Sequence, residues 1–156
     1  MEKIKVVAFN IDGVMTDGSL VYLERGDEAK VFNVKDGQGV LMLNDAGFKT
    51  AIITECENVI ICHRFNVLRM HSLYMEQTDK RATLDKLAQE HDVSLDEIAY
   101  MGDDISDIEA LRAVGLACCP ADAIDEVKQL SDFVSSKNGG HGAVREFCNL
   151  LLSSRN

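Results

Sequence analysis

Polar residues that end short apolar runs are the first place to look for chemistry, because in an open parallel sheet ligands collect beyond the carboxyl ends of the strands. Asn10 and Asp12 follow the run 4–9, Thr54 follows 50–53, Lys80 opens a helical stretch, and Asp103 and Asp104 follow Gly102 after 98–101. Amide and carboxylate oxygens are hard donors suited to Mg²⁺, while a hydroxyl, helix-start amides and a lysine suit phosphoryl oxygens. Singly, each has a plain alternative: Asp12-Gly13 as a turn, Thr54 as a helix cap, Lys80 as a solvated charge, Asp103-Asp104 as a loop with an N-cap. Together they describe a site for a phosphate and a divalent cation.

Those positions need a sheet behind them. Residues 4–9 form a nearly continuous apolar run, the pattern of a strand covered on both faces in a parallel sheet. Residues 19–24 and 29–34 alternate around Arg25-Gly26-Asp27 and read as a hairpin over about 19–34. Residues 39–46 read as a helix stopped by Gly47. The unit then repeats, with strand 50–53, helix 59–68, strand 72–74, helix 80–90, a capped turn from Ser94 to Glu97, strand 98–101 and helix 105–113. Segments 116–118, 124–130, 133–134 and 144–152 complete the alternation. Strands alternating with helices imply right-handed crossovers and an α/β fold, a three-layer α/β/α sandwich on a mainly parallel sheet.

Composition narrows the partners. A chain of 156 residues fits a single domain, 1–156, with a core of its own. The net charge of −10 and a pI near 4.7 argue against nucleic acid and anionic membranes, and leave room for a small anion only where cations gather locally. Five cysteines, odd in number and without a CxxC pair, fit free thiols in a reducing compartment. The amino terminus runs straight into a strand, with no cleavage site and no bilayer-length apolar stretch, so a cytoplasmic protein is expected.

The motif Asn10-Ile-Asp12-Gly13-Val14-Met15-Thr16-Asp17-Gly18, then Thr54, Lys80 and Gly102-Asp103-Asp104-Ile-Ser-Asp107, resembles the ordered motifs of the haloacid dehalogenase superfamily. The segments Phe32-Asn-Val-Lys-Asp36-Gly37-Gln-Gly39, Pro120-Ala-Asp122-Ala and Gly139-Gly-His-Gly142-Ala-Val-Arg145-Glu146 are similar to its ketodeoxyoctulosonate-phosphate phosphatase subfamily. That subfamily also holds nonulosonate 9-phosphate phosphatases and the carboxyl-terminal domain of vertebrate CMP-sialic acid synthetase. The resemblance implies a Rossmann-like sheet without a cap domain and a small phosphorylated sugar acid as substrate. It also implies Mg²⁺ held by the Asn10 side chain, the Asp12 carbonyl and Asp103, with Asp104 and Asp107 in support. Asn10 takes the place of the aspartate nucleophile, Asp12 that of the general acid and base, and Lys80 offsets charge in transfer. Thr54, Glu55, Lys80, Gly13 and Arg64 are the positions implied for phosphate or substrate binding.

Two departures stand out. An amide is a very poor nucleophile, so Asn10 removes the covalent step at a cost of about a millionfold in rate, ~8 kcal/mol. An engineered change and a natural loss both account for it. The second departure is Glu55-Cys56 after Thr54, where the phosphatases have Gly and then a substrate-reading residue, often Arg; Asn-Ile-Asp together with such a Glu resembles the non-catalytic synthetase domain. A receiver domain with an acidic pocket fits less well, because it does not account for the Thr54 and Lys80 spacing.

The chain between Asp12 and the first helix holds a hairpin and no separate cap. The resemblance implies a homotetramer in which hairpins join, active sites lie near subunit interfaces, and the tail of about 139–156 approaches a neighbouring site. Leu20, Tyr22, Val31 and Val34 give the hairpin apolar surface that a lone ribbon cannot bury, with folding onto its own domain as the alternative. His63, His71, His91 and His141 lack metal spacing, although His141 sits where it could touch substrate. Arg64 and Arg145 could meet a substrate carboxylate or pair on helix surfaces.

Overall fold

A computed structural model describes residues 1–155; Asn156, the last residue of the expected tail 139–156 and domain 1–156, lies outside the described residues. Six parallel strands form the main sheet in the order β5-β4-β1-β6-β7-β8. They are β1 (Val6–Phe9), β4 (Lys49–Ile53), β5 (Ser72–Tyr74), β6 (Ile98–Met101), β7 (Leu116–Cys119) and β8 (Phe133–Val134). β1 pairs with β4 on one side and β6 on the other, so the strand order reverses around it and a crevice opens past its carboxyl end.

Side chains alternate across this sheet into two cores. Val7, Phe9, Ile52, Ala99, Met101 and Cys118 face α1 (Val34–Asp45), α2 (Val59–Val67) and α6 (Ala143–Ser153). Val6, Ala8, Ile53, Ile98, Tyr100 and Ala117 face α3 (Lys80–Glu90), α4 (Ile108–Ala113) and α5 (Asp125–Leu130). Burial on both faces is why these strands read as continuous apolar runs rather than alternating ones. No described helix is long and apolar enough to cross a membrane.

Three boundaries differ from the sequence reading. The expected hairpin strands shrink to β2 (Val21–Tyr22) and β3 (Glu28–Ala29), a separate two-stranded antiparallel sheet. The first helix starts at Val34, five residues before the expected 39, because the Asn33 side chain caps it, accepting from the N–H groups of Lys35 (2.8 Å) and Asp36 (3.1 Å). The expected helix 105–113 is a tight turn, Ile105–Asp107, leading into α4.

The glycine-rich segment before α6 returns to the start of the chain. Gly140 N–H donates to Val14 O (3.0 Å), Gly139 N–H donates to Asp122 Oδ1 (2.9 Å), and Asp36 accepts from the N–H groups of Arg145 (2.9 Å) and Gly142 (3.4 Å). A β-carbon on Gly139 would collide with the backbone carbonyl of Gly13. Gly139→Ala is therefore expected to lower stability by about 1–3 kcal/mol in a urea titration, the usual cost of overpacking, whereas Gly26→Ala, in open space, mainly meets its own left-handed backbone.

Candidate active site

β1 ends at Phe9, and Asn10 continues its ladder by one bond, its N–H donating to Met101 O (3.0 Å). The chain then makes one wide turn, Ile11–Met15, closed by the Thr16 N–H donating to Ile11 O (3.1 Å). Thr16 Oγ1 accepts from the N–H groups of Gly13 and Gly18, both at 3.2 Å. Gly13 has φ +87°, and a β-carbon there would run into the Asp103 carboxylate, so backbone conformation and close approach both demand glycine.

Beyond the strand ends lies a cavity of about 350 Å³. Asn10, Asp12, Thr54, Lys80 and Asp103 line it together, with Glu55, Cys56, Asp104 and Ser106 on its walls. Thr54 is buried, and its Oγ1 accepts from the Cys56 N–H (3.2 Å). Gly13, expected at the phosphate, does not line the cavity but packs against Asp103, which does, and Asp107 holds the Asp103 N–H from outside it.

Asp107 is fully buried and satisfied by donors from three directions. Its Oδ1 accepts from Lys80 Nζ (2.7 Å) and Tyr100 Oη (2.6 Å), and its Oδ2 from the N–H groups of Asp103 (2.8 Å) and Asp104 (3.2 Å). Lys80 Nζ also donates to Ser106 Oγ (3.3 Å). A buried carboxylate with this many donors fixes their positions relative to one another. Asp104 caps the next turn, its Oδ1 accepting from the Ile105 N–H (2.7 Å).

The Asn10 amide nitrogen donates to the Asp12 carbonyl (3.0 Å) and to Asp103 Oδ1 (3.1 Å). Two oxygens are thus aimed at one point, where an N–H₂ group supplies the positive end. The carboxyl of Asp103 is pushed up to about 7 by burial first and by the Asp107 carboxylate next, with the Asn10 hydrogen bond opposing the rise. A carboxylate short of positive charge, a backbone carbonyl and an amide whose oxygen can turn to the same point form a hard donor set that fits a divalent cation. Among the described residues no three His, Cys, Asp or Glu side chains gather as a metal cluster. The amide and the carbonyl complete this set.

Lys30 is a site residue that sequence reasoning missed. Its side chain is 3 % exposed, and Nζ donates to Asp12 Oδ1 at 2.7 Å with Glu28 Oε2 at 3.8 Å. Burial works against its charge, but the hydrogen bond and charge of Asp12, with Cys56 and Glu28, outweigh it and hold the ammonium above the ordinary lysine pKa. Strand alternation carried the only signal, since it turns Lys30 away from the face that bears Val31. Arg64, expected at the substrate, is not brought to the cavity of its own chain. Its Nη2 donates to Asn33 O (3.1 Å) and its guanidinium lies 5.0 Å from the Phe32 ring centre, against a small gap beside Gly37 and Leu68. The long side chain packs along apolar surface and follows the helix cap instead of the site. His141 lies 3.8 Å from Asp17, and Arg145 reaches Asn149 (3.0 Å).

A family model of haloacid dehalogenase-like hydrolases matches residues 41–147. The chain belongs to that family. Among its members, the chain is 35 % identical over 155 residues to the 3-deoxy-D-manno-octulosonate 8-phosphate phosphatase KdsC of Haemophilus influenzae, covering 99 % of this hydrolase-family chain and 86 % of the relative. It superposes with a TM-score of 0.97 on the Moraxella catarrhalis 3-deoxy-D-manno-octulosonate 8-phosphate phosphatase solved with magnesium ion, phosphate ion and KDO, at 34 % identity over 99 % of this chain and 89 % of the other. The cobalt-bound deoxy-D-mannose-octulosonate 8-phosphate phosphatase of Haemophilus influenzae gives a TM-score of 0.95 at 35 % identity, over 99 % and 90 % of the two chains. The like fold extends over 99 % of this chain in both structures.

Breaking a buried ion pair strands its partner, so Asp107→Ala should lower unfolding free energy by about 3–5 kcal/mol in denaturant melts, far more than loss of the exposed Arg69–Asp45 pair. Asp103 has a folded-state pKa above its ordinary 3.8, so its contribution to stability is complete below that value and is lost as pH rises through about 7. Thermal midpoints in chelator should therefore fall between about pH 4 and about pH 7 and level off above, with a flatter profile in Asp103→Asn.

Proposed function

We propose that this chain is a magnesium-dependent phosphomonoester site for a phosphorylated ulosonic acid, ketodeoxyoctulosonate 8-phosphate or a nonulosonate 9-phosphate, with turnover lost at Asn10. The convergence of Asn10, Asp12, Thr54, Lys80 and Asp103 on one cavity carries the reading. The relatives named above, phosphatases of such a substrate, give it its substrate class.

Asn10, the Asp12 carbonyl and Asp103 would hold Mg²⁺, which supplies neutralising charge to the phosphoryl oxygens when bound. Lys80, held by Asp107, places an ammonium in the cavity where charge builds during transfer. Thr54 offers its hydroxyl and neighbouring amides to the phosphoryl oxygens. Asp12 stands two residues from the nucleophile position, in place to give a proton to the leaving oxygen and take one from water. Asn10 keeps the shape of an aspartate without its charge, so binding survives while the covalent step does not.

A second reading, a tetramerising domain without turnover resembling that of CMP-sialic acid synthetase, draws on the hairpin. Tyr22 is 63 % exposed and Val31 74 %, with Leu20 and Leu23 beside them. Such a surface on a two-stranded ribbon fits burial against copies of itself. Both readings share a homotetramer of single-domain subunits.

The deciding assay compares the chain with Asn10→Asp, in Mg²⁺, against ulosonate phosphates. A gain of about a millionfold in the variant supports a phosphatase disabled at one atom. No gain in a folded, magnesium-binding variant sinks the phosphatase reading and leaves the assembly role. Light scattering checks the tetramer independently, and a monomer at micromolar concentration counts against it.

A further inference from the structure

Lys30 comes from the hairpin, an element with little else to hold it. Its two strands pair over two residues each and have no neighbour in the main sheet. Most of the ribbon is exposed, yet the Lys30 ammonium is buried beside Asp12, while the next residue, Val31, faces outward. A buried ammonium costs several kcal/mol of lost hydration unless it is paired, so this side chain is placed by its partners. Asp12 Oδ1, at 2.7 Å, is the near one.

We infer that Lys30 is a positioning residue for Asp12, fixing Oδ1 so that Oδ2 is the oxygen left for proton transfer to and from the substrate; this rests on the phosphomonoester reading above. Asp12 Oδ2 has no hydrogen-bond partner among the described residues. A carboxylate on a two-torsion side chain can present either oxygen, and the tie selects one of them. It also links the hairpin to the reacting group. Ala29, Lys30 and Val31 are consecutive, so on one short segment the outward side chain offers apolar surface to a neighbouring subunit while the inward one holds Asp12. Displacing the hairpin therefore displaces the proton donor.

The alternative is a plain anchor, an ion pair that holds the hairpin and does nothing for the reaction. Kinetics separate the two. In the Asn10→Asp background, Lys30→Met is expected to lower kcat by about ten- to a hundredfold, the cost of misplacing a reacting group by about an ångström, with KM within about twofold. Lys30→Arg should recover most of the loss, and Lys35→Met, an exposed lysine on α1, should change neither constant. An unchanged kcat in folded Lys30→Met, or a rise in KM alone, overturns the positioning role. An Asn10→Asp parent that is inactive before Lys30 is touched overturns the phosphatase reading instead. The pair is then decided in the chain as it stands, by ¹⁵N NMR of lysine ammonium groups. A protected Lys30 signal that is lost in Asp12→Ala supports the tie, and a Lys30 signal that exchanges as fast as exposed lysines overturns it.

Discussion

Asp107 carries one negative charge out of contact with water and answers it with an ammonium, a phenol and two backbone amides. Those donors come from the start of α3, the middle of β6 and the loop after β6, so the distances between these elements are set by a single carboxylate. Replacing such an arrangement with apolar groups often leaves stability unchanged or improves it, and its value lies in geometry. The orientation of Lys80 over the cavity and the presentation of Asp103 both follow from it. Gly102 belongs to the same constraint, since a β-carbon there would sit 2.5 Å from Asp107 Cβ.

The cavity holds opposed charges at close range. Asp12, Glu55, Asp103 and Asp104 face it from the acidic side, and Lys80 and Lys30 answer from the basic side. In a chain of net charge −10, a phosphate dianion entering this space meets repulsion that two lysines only partly offset. A divalent cation changes the sign of the balance. Asparagine at position 10 acts on both ligands at once: relative to aspartate it lacks the single charge that would hold the cation and also repel the phosphate. On the proposed reading, loss of the covalent step and retention of binding are therefore separable consequences of asparagine at this position.

Much of the fold was legible because parallel strands buried on both faces leave an unmistakable trace, as in 98–101, and because caps such as Ser94 with Glu97 are local. The stretch 29–34 misled for a physical reason. Its alternation of small, charged and β-branched residues fits a strand, but the Asn33 cap starts a helix at once, and the cap lies one residue before the pattern breaks. Convergence of Asn10, Thr54, Lys80 and Asp103 followed from strand ends in a parallel sheet, which need no side-chain detail. Lys30 and Arg64 show where that logic stops. Each has a long flexible side chain whose head lies several ångströms from its backbone, so tertiary neighbours decide its destination: one turned into the site, the other lay along Phe32.

The turn that carries Asn10 and Asp12 lies more than a hundred residues before the glycines that cover its backbone, Gly139 and Gly140. Its flanking strands β4 and β6 also lie far downstream. The loop therefore has no finished surroundings until segments more than a hundred residues apart in sequence have come together. A chain cut before Gly139 would leave the backbone of that turn uncovered, however intact the residues that line the cavity.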